Sequence, residues 1–92
     1  MGSLAVVERQ IPAEGIEEYL IAAFETEDAA FITDAFGIVA RARGMSALAS
    51  DTGLSRQALY KALSEGGNPE FATIMKVVRA LGFRLTPERI SA

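Results

Sequence analysis

Residues 46–67 read SALASDTGLSRQALYKALSEGG, and this stretch restricts the fold more than any other part of the chain. Ser46 stands where it can cap a short helix ending near Thr52, and Ser55 where it can cap a second one reaching about Glu65, closed by Gly66-Gly67. Gly53 separates the two, in a turn tight enough to call for a glycine at positive φ. Ala49, four residues earlier, is small where the helices must cross closely. Leu48, Leu54, Leu59 and Ala62 fall where the pair has to bury apolar groups against the rest of a domain. Ser55, Arg56, Gln57, Tyr60, Lys61 and Ser64 are then left facing outward. The spacing predicts a helix-turn-helix from about Ser46 to Glu65.

The rest of the chain supplies helices for that pair to pack on. Leu4 to Ile11 reads either as a short strand or as a disordered lead, and Pro12 and Gly15 break the chain after it. Residues 1–15 are therefore taken as an N-terminal lead and 16–92 as a single helix-turn-helix domain. Ile16 to Glu25 has helical spacing, with Tyr19, Leu20, Ala23 and Phe24 as its apolar stripe. Thr26 is the expected cap of the next helix, and Glu27 and Asp28 suit its positive end. That helix runs to about Arg43 through Phe31, Ile32, Ala35, Phe36, Val39 and Ala40, with the Phe31–Phe36 stripe read as core. Gly37 inside it costs roughly 1 kcal/mol against alanine and leaves room for a neighbouring helix. Arg41 and Arg43 suit its last turn, and Gly44 closes it. A last helix is expected with Pro69 in its first turn and Asn68 before it as the cap candidate, with Phe71, Ile74, Val77, Val78 and Leu81 on one face and Gly82 at its end. Phe83-Arg84-Leu85-Thr86 alternates apolar and polar residues, the pattern of a short strand. The expected fold is all-α: a compact bundle of about five helices with room for a short C-terminal strand. Met45 and Met75 are read as core gap-fillers, and Tyr19 as a packed ring with its hydroxyl in water.

Composition narrows the chemistry. The 92 residues fit one domain, and half of them are apolar. A domain this small buries only part of its surface, so a partner or dimer contact would help it. There is no cysteine and no histidine, which removes disulfides, thiolate ligands and the commonest metal ligand and general base. Ser46, Ser50, Ser55 and Ser64 have no histidine to activate them, and Asp51 and Glu65 read as helix-surface charges. No enzyme activity, metal or cofactor is expected. No apolar run approaches the ~20 residues of a membrane span. Met1 to Val7 lacks the basic start and long apolar stretch of a signal peptide, so a cytoplasmic setting is expected.

The net charge of −3 is unevenly spread. Residues 1–36 hold one base and eight acids, a balance of −7; residues 37–92 hold eight bases and four acids, a balance of +4. The outward set at Ser55–Ser64 lies in the positive half and suits a DNA major groove. Arginine pairs well with guanine and glutamine with adenine, and Arg56 and Gln57 sit at the helix end that reads bases. Ser55, Tyr60 and Lys61 are better placed for phosphate oxygens. So few cations on one helix bind weakly at physiological salt, so a homodimer reading two half-sites is expected. Phe83–Leu85 and the exposed apolar residues of the last helix are the expected dimer contact, by strand pairing.

From Gly37 to about Leu85 the chain resembles the lambda-repressor-like, XRE-type helix-turn-helix domain, on LASDTGLSRQALYKAL and the following GGNPEFATIMKVVRALG. More narrowly, ARARGMSALASDTGLSRQALYKALSEGGNPEFATIMKVVRALGFRL resembles the probable addiction module antidote proteins. IEEYLIAAFETEDAAFITDAFGIVARARG is similar to their usual lead-in, so the resemblance covers about residues 16–86. It implies an antitoxin encoded beside a small toxin, commonly of the RelE-like RNA-cutting superfamily. Such antitoxins bind the toxin and repress their shared promoter, with Ser55, Arg56, Gln57, Tyr60 and Lys61 as the matching DNA-reading set. RNA-cutting enzymes need basic surfaces to hold phosphate. The acidic segment from Glu14 to Asp34, with Glu14, Glu17, Glu18 and Glu25, is therefore the expected toxin contact. Two other readings keep the same fold: a stand-alone repressor, and a protein-interaction module that does not bind DNA.

Overall fold

The computed structural model describes residues 13–91, and the lead read as strand or disorder at Leu4–Ile11 lies outside them. Five helices follow one another in these residues: α1 (Ala13–Glu25), α2 (Ala29–Arg43), α3 (Met45–Thr52), α4 (Arg56–Ala62) and α5 (Phe71–Ala80). Among the described residues there is no strand, and the fold is an all-α bundle. Helix α1 packs on α2, and α3 touches α2, α4 and α5, so α3 is the centre of the assembly.

The core forms where the apolar faces meet. Phe36, Val39, Leu48, Leu59, Leu63 and Val77 are almost wholly enclosed. They come from α2, α3, α4 with the residue after it, and α5. Ile16, Leu20 and Ala23 close the core from the α1 side, and Phe24 meets Phe36 edge to face, with ring centres 5.8 Å apart. Gly37 is the point of closest approach, because a Cβ there would stand 2.5 Å from the Leu63 carbonyl oxygen. The interior glycine of α2 is therefore what lets the end of α4 lie against it.

Several helix ends differ from the sequence expectation. Asp28, not Thr26, caps α2: its carboxylate accepts from the N–H groups of Ala30 and Phe31 at 3.0 and 3.3 Å. A carboxylate at the positive end of a helix gains from the dipole as well as from the hydrogen bonds. Thr26 instead donates its hydroxyl to the Ala23 carbonyl at 2.6 Å, holding the end of α1. Ser46 caps nothing, since α3 begins at Met45 directly after Gly44. At a φ of 114°, Gly44 donates to Ala40 and accepts from Leu48, so this one residue both ends α2 and starts α3. Helix α4 stops at Ala62 rather than Glu65, and α5 begins at Phe71 with Glu70 at its N-cap, so Asn68 does not cap it and Pro69 lies before its first turn.

The expected strand at Phe83–Thr86 does not form. Gly82, at φ 93°, and Phe83 bond back to the carbonyls of Arg79 and Val78, the closure that ends α5. Phe83 and Leu85 then pack half-buried against the core. The alternation is real, but it serves core packing; among the described residues no neighbouring strand offers a ladder. Four apolar residues read as core or core-facing also lie at the surface, at least in part: Phe24, Phe31, Phe71 and Met75. Met45 and Phe36 are buried as expected, and Tyr19 is half-buried.

Candidate nucleic-acid interface

Helices α3 and α4 are joined by Gly53, Leu54 and Ser55. Gly53 has φ 77° and ψ 7°, a left-handed conformation that side-chain-bearing residues rarely adopt, and its N–H donates to Ala49 at 2.9 Å. The Thr52 hydroxyl donates to the Leu48 carbonyl at 2.8 Å and accepts from the Leu54 N–H at 3.2 Å. That second pin on the turn was not read from the sequence, although threonine commonly makes such local bonds. Ser55 has extended backbone, and its Oγ accepts from the Ala58 N–H at 3.0 Å, the N-cap expected of it. The direction in which α4 leaves the turn is therefore held by three local devices: a glycine, a threonine and a serine.

The packing then decides which face of α4 meets water. Leu59 and the following Leu63 are buried, with Leu54 and Ala62 packed beside them. Ser55, Arg56, Gln57, Tyr60, Lys61 and Ser64 are all exposed. Helical spacing sets Arg56 in line with Tyr60 and Gln57 in line with Lys61. The Arg56 guanidinium lies 5.9 Å from the centre of the Tyr60 ring, within the range of a cation–π contact. The Ser55 bond uses a lone pair of Oγ and leaves the hydroxyl hydrogen free to donate. Ser64 differs: its hydroxyl already donates to the Lys61 carbonyl at 3.0 Å.

Neighbouring charges were less legible from sequence. Asp51 and Thr52, at the end of α3, border a small cleft shared with Lys76 and Arg79 of α5. The exposed acid thus shares a cleft with two cations that stand some 25 residues further along the chain, which only the packing of α5 on α3 brings near. The Arg43 guanidinium donates to the Leu81 carbonyl at 3.3 Å and ties the end of α2 to the end of α5. The acids expected to meet a protein partner lie on α1, away from α4: Glu17, Glu18 and Glu25 are exposed, and Glu14 stands in the first turn of the same helix. Tyr19 shares this region, and its phenol is pushed above its ordinary pKa by burial and by the Asp34 carboxylate. Among the described residues no group of acids is arranged to hold a metal ion, and no helix is long and apolar enough to cross a membrane.

Comparisons with known proteins agree with the resemblance to the antidote proteins. The family model described as "Probable addiction module antidote protein" matches residues 3–89. An uncharacterized protein of Haemophilus influenzae is 47% identical over 79 residues, covering 86% of this chain and 81% of that protein. No solved structure matches. With the family model spanning nearly the whole chain, the protein belongs to the family of probable addiction module antidote proteins.

Proposed function

We propose that the protein is the antitoxin of a type II toxin–antitoxin pair. In this reading it represses its own promoter through a lambda-repressor-like helix-turn-helix made of α3, the Gly53 turn and α4. It also neutralises a partner toxin of the RelE-like, RNA-cutting kind, and it acts by binding and not by catalysis. One observation carries the DNA half: α4 buries Leu59 yet leaves Arg56, Gln57, Tyr60 and Lys61 exposed together on a helix whose start is capped by Ser55. An exposed helix of this kind fits the major groove, with Arg56 and Gln57 at the base edges and Ser55, Tyr60 and Lys61 toward phosphates. Ser64 contributes least, because its donor is already engaged. Two copies working together would double the phosphate contacts and read a palindromic site.

Membership of an antidote family supports the toxin half. The exposed acids of α1 are the contact proposed for a basic, RNA-holding partner. A mobility-shift titration with DNA from immediately upstream of the gene tests the first half. A specific complex should form that an unrelated duplex of equal length does not compete away, and equal competition by that duplex refutes sequence-specific binding. For the second half, Glu17→Lys with Glu18→Lys should weaken binding to the protein encoded by the adjacent gene at low salt. Unchanged affinity would remove the α1 acids from the contact.

A further inference from the structure

Helix α1, helix α5 and the tail after α5 border an open groove of about 870 Å³. Buried Leu20, Phe36 and Val78 line it, and around them Ile21, Phe24, Phe71, Met75 and Ile90 stay exposed. Phe71 is 68% exposed and Ile90 81%. Large apolar side chains gathered along one groove mark an interaction surface, whereas the same residues scattered singly would need no explanation. The charges bordering the groove are divided by element. Helix α1 and the turn after it supply Glu17, Glu25 and Glu27 and no base, while the tail supplies Arg84 and Arg89 with the single acid Glu88.

We propose that this groove is occupied by a second copy of the chain, groove to groove about a two-fold axis. In such a contact each residue meets the partner's residue from the opposite side of the axis. A surface with acids on one element and arginines on another is therefore complementary to itself, α1 of each copy facing the tail of the other. A uniformly basic partner would satisfy the α1 acids but meet Arg84 and Arg89 as like charges, whereas a second copy turned about an axis along the groove satisfies both elements, and this separation favours the second copy over the toxin. Glu17 and Glu25 border the groove, so in the pair they are engaged by the second copy, and of the α1 acids proposed for the toxin Glu18, exposed and not bordering the groove, is the one left for it. None of the residues from Ser55 to Ser64 borders it either, so both α4 helices of the pair stay uncovered. That last point rests on the DNA-binding reading and supplies its second half-site; the pairing itself does not depend on it.

Sedimentation equilibrium of the full chain tests the pairing. The wild type should weigh twice its 9.8 kDa chain mass. Phe71→Asp with Met75→Asp, both at exposed positions, should weigh one chain mass with an unchanged helical circular-dichroism spectrum. Glu17→Lys with Glu25→Lys should associate at least about tenfold more weakly, as should Arg84→Glu with Arg89→Glu, since each sets like charges together. An equimolar mixture of these two charge variants should recover the dimer, because each then meets its opposite. A monomeric wild type, or a dimer indifferent to all three variants, overturns the proposal. So does a dimer that keeps its mass when Phe71 and Met75 are changed but loses the product of the adjacent gene, because the groove would then seat the toxin. A dimer that shifts no upstream DNA defeats the DNA reading alone, whereas a monomer that shifts it defeats the groove pairing alone.

Discussion

Arg56 illustrates how one side chain on α4 is prepared for its proposed task. Its guanidinium rests over the Tyr60 ring, which limits the rotamers an exposed arginine would otherwise lose on binding. If Arg56 reads a base, Arg56→Ala should weaken specific binding by ~1–3 kcal/mol and relax preference at one base pair, as measured by titration against single-substitution operators. Tyr19 offers a test of stability. Its folded pKa is raised, so below the unfolded value of about 10 both states keep the proton and nothing is lost. As the pH climbs past that value the unfolded chain releases its proton first, and stability falls through the folded pKa. The thermal midpoint should drop more steeply above pH ~10 in the wild type than in Tyr19→Phe. At this scale the sequence was legible wherever a residue acts on its own neighbours. The cap at Ser55 and the positive φ of Gly53 were both expected from type and spacing. The cap at Asp28 was missed, because Thr26 two residues before it has equally suitable chemistry and the choice depends on where α1 ends.

At the scale of the elements, the helices were easier to foresee than their ends. The junctions are set by single residues: Gly44 between α2 and α3, and Gly82 after α5. Gly37 is the informative case within a helix. Alanine in a helix interior ordinarily gains about 1 kcal/mol over glycine. Here the added Cβ would press on the Leu63 carbonyl at 2.5 Å, a backbone atom that cannot swing aside. Gly37→Ala should therefore destabilise the fold by about 1–3 kcal/mol in a denaturant titration, the cost of overpacking exceeding the gain in propensity. A stabilising result would mean that α2 and the end of α4 can part without cost. The face that α5 buries was only partly legible. Val77 and Val78 are inside, but Phe71 and Met75 of the same helix lie outside. Periodicity marks an apolar stripe without saying how much of it the neighbouring helices are long enough to cover.

For the whole molecule, charge is distributed by region more than by total. The chain is acidic overall, yet the proposed reading face lies in its positive half. Binding through it should weaken as salt rises, with a log–log slope of about −0.9 per phosphate neutralised. Lys61→Ala should make that slope shallower by about 1 without changing sequence preference, since a phosphate contact carries no base information. An unchanged slope in a salt series would place Lys61 away from the backbone. In the proposed dimer the two α4 helices count together, so the slope of one operator complex reports cations from both copies.

The sequence alone was enough for the family resemblance, the helical class, the α3–turn–α4 pair and the outward set on α4. Each of these depends on residues within a few turns of one another, where spacing translates directly into geometry. Only the tertiary structure decided that Phe83 and Leu85 of the tail pack against the core, and that Asp51 shares a cleft with Lys76 and Arg79. It alone gathered Ile21, Phe24, Phe71, Met75 and Ile90 around one groove. Those relations join residues far apart in the chain, and they follow from how helices of unequal length cover one another, which no local pattern records.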